Sequence, residues 1–219
     1  GWDFPVNPTQ FNSALTATPS YMADQTISAF GGGATVSLSI DSITSGLKYT
    51  TASTNNAFYM IQYLDGVNAK RILGNRLSVN FFGYKNTGTA DVTMRVYLYR
   101  TGSTGSFPIL PAIIGNVTTG GIFTATALNW TEIPRSGLNT ATATLNAVNT
   151  ATASQINNPN NDIGFTGWEL TDSSQIADTD KFAIVVTFAY IDTGTTVTIN
   201  SISLIPSDIP CRPATQSSD

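Results

Sequence analysis

Residues 182–206 read FAIVVTFAYIDTGTTVTINSISLIP, and this stretch decides the fold class. From Phe182 to Tyr190, apolar or aromatic side chains occupy every second position, and the positions between them are also largely apolar. That pattern is typical of a strand that is covered on both faces. The turn signal Asp192-Thr193-Gly194 then precedes a second run rich in β-branched residues, 195–205. We therefore predict a long hairpin at the centre of a sheet.

The apolar phase of the second run slips by one residue. Val197 and Ile199 are odd-numbered, whereas Ile202 and Leu204 are even-numbered. One extra residue in a strand moves every later side chain to the other face of the sheet. The slip therefore predicts a β-bulge near Asn200-Ser201.

The same period-two alternation predicts further short strands along the chain. They are residues 34–43, 47–51, 57–64, 77–84, 92–100, 123–134, 136–148 and 163–170. Residues 85–89 are rich in turn formers and predict a hairpin loop, and residues 67–73 are the only plausible helical turn. About eight to ten short strands with almost no helix predict an all-β fold, a sandwich or a jelly roll.

A chain of 219 residues is expected to form one domain of this kind. We divide it into a linker or junction at 1–15, the sandwich domain at 16–206 and a Pro-rich tail at 207–219. Two prolines and two aromatic residues in the first eight positions suit an extended linker. Because the chain begins with Gly1 rather than Met, we expect a fragment of a longer protein.

The composition excludes several classes of function. Charged residues make up 11% of the chain, against about 25% in an ordinary soluble domain. The net charge is −4 and the ten Lys and Arg residues are scattered, so capture of nucleic acid or of an anionic membrane is not expected. No apolar run approaches the roughly 20 residues of a membrane span. There is no histidine to act as base or metal ligand, and the single Cys211 is interpreted as an incidental thiol.

Catalysis would have to use carboxylates. Glu132 and Glu169 are the only glutamates, and a glycosidase needs two carboxyl groups that flank the scissile bond. No motif in the sequence brings these two residues together, and the alternative is that they are solvated or capping carboxylates. We therefore predict that the protein is not an enzyme, and keep a glycan-cleaving enzyme as an alternative.

A structural calcium ion is a further possibility, although no cofactor is predicted. Asp178, Asp180 and Asp162 could supply oxygen ligands, but their spacing does not match an EF-hand loop. The same residues also make Asx-turns without any ion.

Aromatic residues provide the strongest indication of a binding site. Arg95, Tyr97 and Tyr99 share one face of a predicted strand, and Tyr59 and Tyr63 share one face of another. Two tyrosines and an arginine in a row suit a platform for neutral sugar, because rings stack on apolar sugar faces while the guanidinium donates hydrogen bonds. The alternatives are an aromatic ladder that only covers the sheet, or a subunit contact. Trp168 is expected to be a core or interface ring.

Six short motifs follow one another along nearly the whole chain. They are residues 2–8 (WDFPVNP), 75–80 (NRLSVN), 130–138 (WTEIPRSGL), 163–170 (IGFTGWEL), 199–206 (INSISLIP) and 208–210 (DIP). With these motifs in this order, the sequence resembles a known family, the C-terminal head domain of phage tail fibres and related trimeric adhesins.

The resemblance implies a jelly roll similar to carbohydrate-binding modules, assembled as a homotrimer at the tip of a fibre whose shaft lies N-terminal to this fragment. It implies non-catalytic recognition of cell-surface glycan on a viral host or bacterial prey cell, and a location on a virion fibre or on an extracellular or cell-envelope surface. The alternatives are a structural trimerising cap without ligand and a glycan-depolymerising tailspike domain. The shared motifs identify no sugar-binding residue.

Overall fold

The structure is a computed structural model of the chain. It describes residues 2–3, 14–16, 20–23, 26–30, 35–41, 44, 46–51, 56–65, 76–89, 91–101, 117–118, 122–123, 130–133, 135–136, 141–148, 153–169, 181–191 and 194–210.

Two antiparallel sheets of seven strands each account for most of the described residues. The strands of the first sheet are β1 (Trp2–Asp3), β2 (Ala14–Thr16), β5 (Thr35–Ile40), β6 (Leu47–Thr51), β8 (Arg76–Thr87), β14 (Asp162–Glu169) and β16 (Thr196–Ile205). Their order is β14-β8-β16-β6-β5-β2, and β1 also pairs with β16. Two short segments of the predicted linker and its boundary, β1 and β2, thus pair with strands of this sheet.

The strands of the second sheet are β3 (Ser20–Ala23), β4 (Thr26–Phe30), β7 (Asn56–Asp65), β9 (Thr93–Thr101), β12 (Trp130–Glu132), β13 (Ala141–Thr144) and β15 (Lys181–Ile191). Their order is β12-β9-β15-β7-β4-β3, and β13 also pairs with β9. A separate two-stranded sheet consists of β10 (Val117–Thr118) and β11 (Ile122–Phe123). The predicted all-β sandwich is confirmed.

Helix is confined to one turn, α1 (Ala153–Ile156), and a 3₁₀ turn (Pro159–Asn161) in the described part of the chain. The sequence predicted the only helical turn at 67–73, which lies outside the described residues, and it missed α1. Ile156 is buried against Tyr84 and Val148, and such packing stabilises a turn that is too short to form by propensity alone. Asn161 fixes this region, because its buried amide donates to the carbonyl oxygens of Gln155 and Ile156.

Both predicted hairpins are wrong, and for the same reason. β15 belongs to the second sheet and β16 to the first, and β8 and β9 are likewise divided between the two sheets. Turn residues predict a reversal of the chain, and Gly194 does have a positive φ of 76°. They do not determine whether the returning strand stays in the same sheet. Here each returning strand crosses to the opposite sheet, which is the connectivity of a jelly roll.

The predicted β-bulge is confirmed. Ile199 pairs with Gly83 of β8, whereas Ser201 pairs with the next residue, Phe82, so Asn200 is the extra residue. The register shift keeps Val197 and Ile199 on the same side of the sheet as Ile202, despite their opposite numbering. One inserted residue therefore keeps the apolar side chains of both halves of β16 on the core side of the sheet.

Inward-facing side chains of both sheets form one apolar core. Its main members are Leu77, Val79 and Phe81 from β8, Val197, Ile199 and Ile202 from β16, Met94, Val96 and Leu98 from β9, and Phe182, Ile184, Val186 and Phe188 from β15. Trp168 of β14 also lies in the core, as expected for a core ring, with the Arg135 guanidinium 5.0 Å from its ring centroid. Because side chains alternate along a strand, the residues between these face away from the core.

An aromatic cluster joins the two sheets at the centre of the core. The Tyr49 ring of β6 stacks on Phe58 of β7, with centroids 4.4 Å apart, and lies 5.6 Å from Phe188 of β15. Tyr49 is fully buried, yet no hydrogen-bond partner of its hydroxyl is found in the described structure. Burial also raises the pKa of this hydroxyl well above its usual value, so it stays protonated.

Replacing Tyr49 by Phe is expected to raise the free energy of unfolding by about 1 kcal/mol, because an unpartnered buried hydroxyl costs roughly 1–3 kcal/mol of desolvation. Phe58→Ala, which removes the stacked ring, should lower it by about 3–5 kcal/mol. Urea unfolding of the three proteins measures both effects. A less stable Tyr49→Phe variant would show that the hydroxyl does make a hydrogen bond.

Candidate functional site

The five predicted site residues lie together on the outer face of the second sheet. β15 runs between β7 and β9, and its register shows which residues are neighbours. Thr187 pairs with both Arg95 and Tyr59, and Ala183 pairs with both Tyr99 and Tyr63. Tyr97 lies in the row between them. We call these five residues the tyrosine face: Tyr59, Tyr63, Arg95, Tyr97 and Tyr99.

The tyrosine face is closed to solvent over most of its area. Tyr59 is 0% exposed, Tyr97 4% and Tyr99 3%, whereas Tyr63 and Arg95 are half-buried. The rings of Tyr97 and Tyr99 stack on each other, with centroids 6.1 Å apart. The sequence predicted an open platform on which sugar rings stack. That mode of binding is corrected here for Tyr59, Tyr97 and Tyr99, because buried ring faces have no room for a ligand.

The hydroxyl groups of this face are neutral hydrogen-bonding groups. Burial raises the pKa of Tyr59 and of Tyr99, and nearby Tyr97 raises both further, with Glu132 also contributing at Tyr99. The pKa of Tyr97 is raised by burial, although the adjacent Arg95 guanidinium partly offsets the rise by its charge and a hydrogen bond. The Arg95 guanidinium is thus a charged donor beside the neutral Tyr97 hydroxyl, which can accept a hydrogen bond from it.

Two edge strands bring further polar groups to this face. β12 and β13 both pair with β9, on the side away from β15, and they lie end to end along it. Glu132 of β12 is directly opposite Tyr99, and Thr142 of β13 is directly opposite Arg95. Both Glu132 and Thr142 are solvent-exposed. We call Arg95, Glu132 and Thr142 the polar margin, because they form the accessible border of the tyrosine face.

Sequence reasoning considered Glu132 only as a catalytic candidate and did not consider Thr142. Their positions depend on pairing between strands that are distant in the chain, which period-two alternation does not reveal. The only local signal was the alternation itself, since Ile133 and Ala141 are buried and their neighbours Glu132 and Thr142 therefore face outward.

The two glutamates are on opposite outer faces of the sandwich. Glu132 faces outward from the second sheet, whereas Glu169 pairs with Arg76 in the first sheet, one position from the core residues Trp168 and Leu77. Glu169 Oε1 also lies 3.0 Å from Arg76 Nε. Packed sheets are about 10 Å apart between backbones, and both carboxylates point away from that layer. The pair considered for a glycosidase is therefore not brought together.

The possible calcium ion stays a prediction. In the described residues, no three acidic or cysteine side chains come close enough to hold a metal ion. Asp162 Oδ1 accepts a hydrogen bond of 3.0 Å from Asn80 Nδ2, a contact that needs no ion. Asp178 and Asp180 lie outside the described residues, as does Cys211.

Among the helices that the structure describes, none is long and apolar enough to cross a membrane.

No protein-family model and no curated protein matches the chain. Solved structures resemble its fold at low sequence identity. One is of carbohydrate-binding modules from the β-sandwich superfamily, described as having promiscuous specificity, with 10% identity and a TM-score of 0.45, and the comparison covers 83% of this chain. This chain spans 57% of the length of that structure.

Two further structures are similar to this chain. The family 11 carbohydrate-binding module from Clostridium thermocellum, in complex with a β-1,3-1,4-mixed-linked tetrasaccharide, shares 13% identity with a TM-score of 0.39 over 89% of this chain and 98% of that one. The enzymatically active domain of tailspike protein 4 from bacteriophage CBA120 shares 10% identity with a TM-score of 0.41 over 83% of this chain and 19% of that one. All three scores are below 0.5, so we transfer no ligand or residue role from them.

The pKa of Glu132 predicts how the stability of the protein depends on pH. Although the residue is exposed, partial loss of solvent around its carboxylate raises the pKa above the ordinary value of 4.5. A raised pKa means that the folded protein binds the proton more tightly than the unfolded chain. Protonated Glu132 therefore favours the folded state. This stabilisation is fully present below about pH 4.5 and is lost as the pH rises through the pKa of Glu132 in the folded protein.

The Glu132→Gln variant, which is neutral at every pH, should be more stable than the wild type at pH 7, and the difference should disappear below about pH 4. Urea unfolding between pH 3 and pH 7 measures this difference. Glu169→Gln is the matched control, because it loses an ion pair on the other sheet and should gain no stability at pH 7. A gain in the stability of Glu132→Gln that is constant across the pH range would contradict the raised pKa of Glu132.

Proposed function

We propose that this chain is a non-catalytic β-sandwich module that binds cell-surface glycan at the polar margin of its second sheet. The observation that carries the proposal is the register of β9 with its two edge strands. This register places the guanidinium of Arg95, the carboxylate of Glu132 and the hydroxyl of Thr142 along one accessible border. Together they offer both donors and acceptors to sugar hydroxyls.

In this proposal the buried tyrosines support the binding residues and do not stack on the ligand. Tyr97 lies between the rows of Arg95 and Glu132, and its hydroxyl restrains the guanidinium. A binding group that is already fixed loses less conformational entropy when the ligand arrives. The low charge of the chain, 11% of residues, also suits recognition by hydrogen bonds to uncharged hydroxyls.

We further propose that the module is the tip of a homotrimeric fibre, on a virion or on a cell envelope. This part rests on the sequence resemblance alone. Contacts by a shallow margin on one subunit would be weak, and three copies on one shaft would raise the avidity through effective concentration.

A structural cap is the second candidate, because the near-complete burial of Tyr59, Tyr97 and Tyr99 favours it. In that case the tyrosine face is a packing layer without a ligand, and receptor binding belongs to another part of the fibre. A glycan-cleaving role through Glu132 and Glu169 is not proposed, because the two residues lie on opposite faces.

A glycan array with the purified protein tests the proposal, and light scattering gives its mass. Binding by a species of three times 23.2 kDa supports the fibre tip, and specific binding by a monomer supports the module without the trimer. A protein that binds nothing on a broad array of neutral and acidic glycans favours the structural cap.

Two variants locate the site once a glycan is found. Arg95→Ala should weaken binding about tenfold or more, because a hydrogen bond to a charged group contributes roughly 1.5–3 kcal/mol. Tyr97→Phe should weaken it less, because the ring remains and only the restraint on Arg95 is lost. Tyr49→Phe removes a buried hydroxyl from the core and should leave the affinity unchanged. If calorimetry gives the same affinity for the wild type and all three variants, the polar margin is excluded as the binding site.

A further inference from the structure

The polar margin has a charge of opposite sign at each end. Arg95 is four residues from Tyr99 along β9, and Glu132 is directly opposite Tyr99. At about 3.3 Å per residue the two rows are about 13 Å apart. That distance exceeds the Debye length of about 8 Å at physiological ionic strength, so each charge acts mainly on the part of a ligand beside it.

The Glu132 end of the margin carries an exposed carboxylate. The groups beside it are the neutral phenols of Tyr97 and Tyr99. The nearest cationic position on this face of β15 is Lys181, which pairs with Thr101, two residues beyond Tyr99 along β9. Arg100 is the next residue in β9, but it pairs with the core residue Phe182 and so alternates to the other face of the strand. A ligand at this end therefore meets an exposed carboxylate.

The Arg95 end differs in both charge and chemistry. Arg95 is half-buried beside the Tyr97 hydroxyl, and its cross-strand neighbour Thr142 is exposed and uncharged. A sugar at this end meets donors from the guanidinium and a hydroxyl that can donate or accept. The two ends thus offer different hydrogen-bonding groups and opposite charges to the same ligand.

We propose that Glu132 makes the site selective for neutral glycans, because it accepts hydrogen bonds from sugar hydroxyls and repels any sugar that carries a carboxylate or sulfate at that position. This inference rests on the proposed function and names its substrate class. A glycan in which every residue carries a carboxylate places one beside Glu132 whichever way it lies along β9. Such a glycan is rejected, and specificity comes from this unfavourable contact as much as from favourable ones.

The test compares one neutral glycan, the strongest neutral binder on the array, with its counterpart in which every primary hydroxyl is oxidised to a carboxylate. Wild-type protein should bind the neutral glycan about tenfold or more tightly at about 0.15 M salt, because like charges in contact near a surface repel strongly. Glu132→Gln should remove most of this preference, chiefly by tighter binding of the acidic glycan. At about 1 M salt, where the Debye length is about 3 Å, the wild-type preference should shrink.

Glu169→Gln is the matched control, because it removes the other glutamate from the opposite sheet and should leave the ratio of affinities unchanged. A wild-type protein that prefers the acidic glycan, or a ratio that Glu132→Gln does not change, would overturn this inference while the proposed function stands. If the wild type binds neither glycan and nothing else on the array, the proposed function fails, and this inference fails with it.

Discussion

Burial of β15 and β16 on opposite sides of one apolar core is the constraint on which the rest of the structure depends. Phe188 of β15 lies 5.8 Å from Phe81 and 5.6 Å from Tyr49, which belong to the sheet that contains β16. Each strand is central in its own sheet, so both of its edges are paired. The bulge at Asn200 is a consequence of this constraint, because without the extra residue the second half of β16 would turn its apolar side chains away from the core.

The same constraint positions the candidate site. Once Phe182, Ile184 and the other even-numbered residues of β15 face the core, Ala183, Val185 and Thr187 must face outward. These are small side chains on a central strand, and they leave room for the larger tyrosines of the strands on either side. At the border of this face, β12 and β13 supply the exposed Glu132 and Thr142. The packing of the central strand against the core thus determines which residues face the candidate site.

Local alternation in the sequence predicted most of what is local in the structure. The strand at β9, the outward position of Arg95, Tyr97 and Tyr99, the core position of Trp168 and the bulge at Asn200 all follow from which residues occupy odd and even positions. The division of β15 and β16 between two sheets does not follow from this alternation. A turn motif determines where the chain reverses, but it does not determine which strand the returning segment pairs with.

Long-range pairing explains the rest of what the sequence could not reveal. Glu132 and Tyr99 are neighbours only because β12 pairs with β9, and the separation of Glu132 from Glu169 follows from membership of different sheets. The burial of Tyr97 is also invisible in the pattern, because alternation shows which face a side chain occupies and not whether that face is open.

The most direct test of the account is an NMR titration of the labelled protein with a glycan that it binds, followed through backbone amide shifts. The account predicts that the largest changes lie in β9 at 93–99, at Glu132 and in 141–144, while the outer face of the first sheet around Asn80 and Asp162 is unaffected. Changes centred on that first-sheet face, with none at Arg95 or Glu132, would contradict it.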